Sequence, residues 1–313
     1  MPADHRLPVA LLRQDTYDRA ALRRAVDALF AALELPALRG LAVLVKPNLV
    51  SRANAALCCT RPEVARAVCE HLLDHGARPF VADSPAFGSG RRVARAAGYF
   101  EALAGLGVPI GNLDRPVALR LPEEAGGGTI GVSRRALEAD RIVSLAKLKA
   151  HGQFRVTAST KNLFGCVCGC RKALAHVRLG DRPLRMERLI LALRAALPPA
   201  LGLADGIEAM HRGGPIHGQP YPLGLLGAAA DTLALDAALF ALLGQTPETV
   251  PLWAEALRQG LPGADPAQAR FPLAGPDEFD ATGFAVQPTL DPMRFEPLRF
   301  VRGRVKSLLH RLG

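Results

Sequence analysis

Lysine is the residue this chain avoids. Its 39 basic side chains divide into 33 arginines and six lysines in 313 residues. Arginine fills almost every position where a plain positive charge suffices. Five of the six lysines are Lys46, Lys147, Lys149, Lys161 and Lys172, and only Lys306 lies elsewhere. Arginine is a planar fork, whereas lysine is a compact charge whose pKa moves readily on burial. The ammonium itself is what these five positions require. Asparagine is equally sparse, and two of its four copies, Asn48 and Asn162, follow Lys46 and Lys161 within two residues.

Aromatic residues are also few, at 5% of the chain with one Trp and three Tyr. The net charge of +10 attracts anionic partners. That charge is dispersed arginine, with little aromatic surface to stack bases and no nucleic-acid module, so no specific nucleic acid is expected. Long apolar runs are missing too. The most apolar window, Leu223 to Gly244, carries Asp231 and Asp236, which a bilayer penalises. The start has no charged segment leading into a long apolar stretch. A cytoplasmic protein is expected, and six cysteines in a reducing compartment serve as thiols or metal ligands more often than as disulfides. There is no NAD fingerprint: Ser84-Pro85-x-x-Gly88-x-Gly90 does not match it, and Gly126–Gly128 is not followed by the Lys-Ser/Thr of a phosphate loop.

What is present reads as α/β, a mainly parallel sheet with helices on both faces and the site at the carboxyl edge of the strands. Leu41 to Val45 is a continuous apolar run, the mark of a strand buried on both faces, and it ends at Lys46-Pro47-Asn48. Phe80 to Asp83 and Leu201 to Asp205 repeat the pattern with an acid at the end. Ligands of such sheets bind outside the carboxyl ends of the strands. Thr60-x-x-Glu63 reads as a capping box before an apolar helix that Gly76 closes. His71 and His75 on that helix read as an exposed face, not a metal pair. Residues 90 to about 104 read as one helix, Val108 as a strand and Met210 to Pro220 as a loop. Asp231 caps the helix after the last buried strand. The expected organisation is a single domain over 1–261, a Pro-rich loop segment over 262–297 and a basic amphipathic helix over 298–313.

The chemistry concentrates in Ile142–Lys172. An apolar run leads to Lys147, Lys149 and His151 at alternate positions, which an extended strand places on one face. A second short run delivers Lys161 and Asn162, and then come Cys166, Cys168 and Cys170.

These motifs together resemble the domain-of-unknown-function family numbered 362. The matching residues are Val45-Lys46-Pro47-Asn48, Thr60-Arg61-Pro62-Glu63, Gly76-Ala77, Lys147-Leu148-Lys149-Ala150-His151, Thr157 and Lys161-Asn162-Leu163-Phe164-Gly165. They continue with His176, Asp205-Gly206-Ile207-x-Ala209-Met210, Gly214-Pro215-x-x-Gly218-x-Pro220, Asp231 and Asp236. The resemblance implies a cytosolic α/β domain without a settled reaction; relatives are often described as iron-sulfur proteins. Two departures stand out. The Cys-x-x-Cys-x-x-Cys module of many relatives is absent, while cysteines stand at 166, 168 and 170, and His211-Arg212 replaces an acidic residue expected after Met210.

Three functions compete. The leading expectation is a metal or iron-sulfur protein of redox type, in which Cys166, Cys168 and Cys170 with Cys59 (or Cys58) hold a cluster or zinc beside a lysine-lined anion site. Cys-x-Cys-x-Cys is a weak match to cluster spacings, and small buried thiols are its bland alternative. The second is a metal-independent enzyme acting on a phosphorylated or carboxylated small molecule. Lys46, Asn48, Lys147, Asn162 and Asp83 then line the ligand site, and His151, Lys149, Lys161 and Asp205 are the catalytic candidates. The third is a protein that meets a membrane surface or a protein partner through its terminal basic helix.

Overall fold

The computed structural model describes residues 5–85, 88–179 and 183–291. The terminal segment 298–313, expected as an amphipathic helix, lies outside the described residues. In chain order the strands are β1 (Leu7–Arg13), β2 (Ala42–Pro47), β3 (Arg78–Asp83), β4 (Ile110–Asn112), β5 (Pro116–Arg120) and β6 (Thr129–Ser133). They continue with β7 (Arg141–His151), β8 (Arg155–Thr157), β9 (Ala200–His211), β10 (Gln219–Tyr221), β11 (Leu225–Ala229) and β12 (Ala269–Arg270). Ten of them form one sheet in the order β12-β1-β11-β9-β7-β2-β3-β4, with β8 added to β7 and β10 to β9; β5 and β6 pair separately. From β9 to β4 every neighbouring pair is parallel, while β11 runs antiparallel to both β9 and β1. The fold is the expected α/β class with a mostly parallel sheet.

The apolar runs divide between two faces by the period of two. Val43, Val45, Val143, Leu145, Leu201 and Leu203 enter a core closed by the helices Arg19–Ala32 and Pro62–Asp74. Leu44, Ala82 and Ile142, one residue out of step, enter the opposite core with the helices Arg185–Ala196 and Pro251–Arg258. Burial on both faces is why these strands show no apolar–polar alternation. A third cluster seats the helix Thr232–Leu242 on β1 and β11, and Phe279 and Phe284 of the Pro-rich segment bury against it.

Several local expectations change. The helix predicted over 90 to 104 is two pieces, Gly90–Ala96 and Tyr99–Ala102, divided at Gly98, whose φ of +83° breaks the run. The strand expected at Val108 is Ile110–Asn112. Asp205 lies inside β9 and not at its end, because β9 runs on to His211 and pairs there with β10. The segment read as a loop from Met210 to Pro220 therefore contributes both arms of a hairpin. Thr60 makes no capping box: Arg61 stands at the helix N-cap with no side-chain cap, while Thr60 Oγ1 donates to the Leu145 carbonyl (2.8 Å) and accepts from Asn48 N (3.0 Å). His71 is not exposed; it is buried with Nδ1 2.6 Å from Asp27 Oδ1.

Candidate functional site

The parallel register aligns the carboxyl ends. Lys46 of β2 lies opposite Ser144 of β7, and Lys147 of β7 lies opposite Asp205 of β9. Two buried ion pairs stand at this edge. In the first, Lys46 Nζ is 2.7 Å from Asp83 Oδ1 at the end of β3, and it also donates to Asn162 Oδ1 (2.9 Å) and to the Pro47 carbonyl (3.0 Å). Asp83 accepts in turn from the backbone N–H of Leu49 and Ser84, both at 2.8 Å. In the second, Lys147 Nζ is 3.1 Å from Asp205 Oδ2, and both side chains are fully inaccessible. Asp205 also accepts from Tyr17 Oη (2.9 Å) and Arg61 N (3.1 Å). Burial, and then the Asp205 carboxylate, raise the Tyr17 phenol far above its ordinary value, so it remains a donor.

Asparagine joins the lysines as expected from the paired motifs. Asn162 Nδ2 donates to the Lys46 carbonyl (3.0 Å) and Ser144 Oγ (3.1 Å), while its Oδ1 also accepts from Asn48 Nδ2 at 3.3 Å. Asn48 Oδ1 accepts from Lys149 Nζ at 2.7 Å. Lys149 donates further to the Cys58 carbonyl (2.9 Å) and the Pro215 carbonyl (3.4 Å), tying two loops to the sheet. Lys172 Nζ donates to the Ser84 carbonyl, and Ser84 Oγ accepts from Gly169 N (2.8 Å), which fastens the cysteine-bearing loop to the end of β3.

Lys147, Lys149 and His151 reach three different partners. The register irregularity at this point lies in β9, which advances five residues from Asp205 to Met210 while β7 advances two from Lys147 to Lys149. His151 Nε2 lies 3.1 Å from Lys161 Nζ, and Gln153 N–H donates to His151 Nδ1 at 3.1 Å. Lys161 is half-buried, with Nζ 4.9 Å from the centre of the Phe154 ring.

The charges do not balance. Asp83 and Asp205 pair with Lys46 and Lys147, but no carboxylate among the described residues pairs with Lys149, Lys161 or Lys172. Burial, and then Lys149, Lys46 and Lys172, push Lys161 down to about 7. Burial similarly lowers Lys149 and Lys172 to about 8, Lys147 adding to the first and Lys46 to the second.

Two supporting positions were not among the candidate site residues. Asp236, buried in the helix Thr232–Leu242, accepts from Ser159 N (2.7 Å) and Thr160 N (2.9 Å) and so anchors the turn that carries Lys161 and Asn162. Its placement in an apolar helix was the available signal; burial raises its carboxyl to about 7. Gly165 leaves room for the first ion pair, since a methyl there overlaps the Lys46 ammonium and comes within 2.6 Å of Asp83 Oδ1. Gly165→Ala is therefore expected to cost about 1–3 kcal/mol, the usual range for overpacking a filled site. A denaturant midpoint unchanged from the parent's refutes this.

The cysteines do not gather as a ligand set. Cys166 packs in the apolar cluster on one face of the sheet, and Cys58 and Cys59 pack in the cluster on the other. The fourth ligand expected from Cys59 thus packs in a different apolar cluster from Cys166. Cys168 N donates to the Gly131 carbonyl (2.9 Å), Cys168 is buried and Cys170 is half-buried. Among the described residues no three His, Cys, Asp or Glu side chains are grouped to hold a metal ion. Burial raises the Cys166 thiol to about 12. Nor, among the described residues, is any helix long and apolar enough to cross a membrane.

The profile of a family described as "Domain of unknown function (DUF362)" matches residues 43–241, from β2 into the helix Thr232–Leu242. The chain belongs to this family. All five clustered lysines of this DUF362 chain lie within the matched span. It is 35% identical over 305 residues to the thylakoid-associated protein sll1697 of Synechocystis sp. (strain ATCC 27184 / PCC 6803 / Kazusa), covering 95% of this chain and 93% of that one. The lactate racemase apoprotein of Thermoanaerobacterium thermosaccharolyticum superposes with a TM-score of 0.41 at 17% identity, over 65% of this chain and 52% of the racemase. A Thermotoga maritima protein gives a TM-score of 0.41 at 13% identity, over 67% of this chain and 56% of that protein. This chain thus spans a little over half the length of either solved structure.

Proposed function

We propose that the lysine cluster is the binding site of an enzyme that acts, without a metal, on a small molecule carrying a carboxylate or phosphate, and that His151 and Lys161 move the proton. The observation that carries this reading is the charge imbalance at the carboxyl edge. Among the described residues Lys149, Lys161 and Lys172 sit in a desolvated setting without an ion-paired carboxylate, and a buried charge without a partner costs several kcal/mol. A bound anion supplies the missing partner. Lys149 spends its three donors on Asn48, Cys58 and Pro215 and so contributes charge and rigidity. Lys161, half-buried at the rim, is the lysine a ligand reaches first.

The test is a calorimetric titration with inorganic phosphate and with succinate. One site per chain is expected. Lys161→Met should weaken the better ligand by about 2 kcal/mol, roughly thirtyfold, with the melting temperature preserved. If neither anion binds, the reading is wrong. Iron or zinc held by Cys166, Cys168, Cys170 and Cys59 is the reading this one displaces, and stoichiometric metal in protein purified without oxygen would restore it.

Contact with a membrane surface is a second reading, supported by the thylakoid association in a relative's name. The sequence of 298–313 alternates apolar residues with Arg299, Arg302, Arg304, Lys306 and Arg311. Flotation with anionic vesicles, comparing the full chain with one ending at Pro297, decides it: equal recovery of both with lipid rules this segment out.

A further inference from the structure

We infer that Lys161 is the nucleophile of this site and forms an imine with a carbonyl compound that carries a carboxylate or phosphate group. This deepens the anion-site reading and rests on it.

The hydrogen bonds of His151 carry the inference. Gln153 N–H donates to His151 Nδ1, so that nitrogen is an acceptor and bears no proton. A neutral imidazole with Nδ1 bare has its proton on Nε2, 3.1 Å from Lys161 Nζ. An ammonium has donors only, and an N–H facing it is a donor set against a donor. The contact is satisfied when Lys161 is a free amine whose lone pair accepts from Nε2–H. The surroundings favour the same state, since burial and the neighbouring lysines bring Lys161 to about 7. A neutral, reachable amine beside cations that attract an anion is the arrangement a Schiff-base lysine requires. Lys149 and Lys172 are buried more deeply than Lys161 and bond to carbonyl oxygens of the protein, so neither offers an equally accessible amine.

The step balances without an oxidant. The Nζ lone pair turns from Nε2–H to the carbonyl carbon, the N–C bond forms, and the C–O π bond breaks. Nε2–H then donates to the developing oxyanion. A proton of the new ammonium moves to that oxygen, and one further proton from water releases it as water. Amine, carbonyl and a proton give a protonated imine and water.

Protein is incubated with pyruvate, reduced with sodium borohydride and mapped by peptide mass spectrometry, with a parallel arm using dihydroxyacetone phosphate. One reduced adduct per chain is expected, on Lys161, from at least one of the two compounds. Its yield should rise between pH 6 and 8 as the amine fraction grows. Lys161→Arg should abolish the adduct while keeping phosphate affinity within about tenfold, because the guanidinium supplies the positive charge that Lys161 takes up when an anion binds. Phosphate or succinate binding with no adduct from either carbonyl compound overturns the imine and leaves the anion site standing. An adduct on other lysines in place of Lys161 overturns it equally. Failure of every anion to bind removes both readings.

Discussion

Asp205→Ala is expected to lower folding stability by about 3–5 kcal/mol, the usual cost of stranding a buried charge. The carboxylate is fully buried and accepts from three groups drawn from distant parts of the chain: Lys147, Tyr17 and Arg61. Truncation leaves the Lys147 ammonium without a counter-ion and the Arg61 amide without its acceptor. Tyr17 Oη still accepts from Glu208 N (3.2 Å), so one corner of the network survives. The partner change separates loss of a pair from loss of a charge. Adding Lys147→Met to Asp205→Leu removes both charges and keeps apolar volume, and exchanges of that kind are often neutral or stabilising. The double variant should recover most of the loss, as read by denaturant midpoints at constant slope. A cost below about 1 kcal/mol for Asp205→Ala means the pair behaves like a solvated surface bridge, and the burial argument for this edge fails.

How far the sequence reached follows from where its signals lie. Lys46 and Asp83 were legible because apolar runs lead to them and ligands of parallel sheets gather where such strands end, whereas Asp205 lies within β9, which runs on to His211. The Lys-Asn pairs were legible from composition, since a chain so rich in arginine has little use for a lysine that is only a charge. What stayed hidden is contact across long separations. Tyr17 meets Asp205 across 188 positions, and no local pattern announces that a tyrosine before the first helix will do so. The cysteines show the opposite limit. Their spacing is a local pattern, but Cys166 turns into one core while Cys58 and Cys59 turn into the other. Also hidden was the irregularity in β9, which advances five residues from Asp205 to Met210 while β7 advances two from Lys147 to Lys149. Beyond the sheet's parallel body, β7 and β9 find antiparallel partners in β8 and β10, the second of which the Gly and Pro content of 212–220 concealed.

Anion affinity should fall steeply as pH rises from 7 to 9. In the free protein Lys161 is lowered to about 7, and Lys149 and Lys172 to about 8. A bound anion favours the ammonium forms, so above these values each binding event takes up protons. Every proton taken up weakens affinity by about tenfold per pH unit. Sulfate is the probe of choice, since its own charge is constant over the range. Stability of the ligand-free protein should move the other way. Each of these lysines has a folded pKa below its unfolded value of about 10.4. Between the two values the unfolded chain binds more protons than the folded one, so stability rises with pH across the window from about 7 to 10. Calorimetry in buffers of different ionisation enthalpy counts the protons, and thermal melts without ligand give the second slope. The opposed signs belong to lysines held partly neutral for want of a counter-charge. Sulfate affinity that stays level from pH 7 to 9 would mean that the three ammonium groups are already fully charged in the free protein, and that no anion is needed to complete the site.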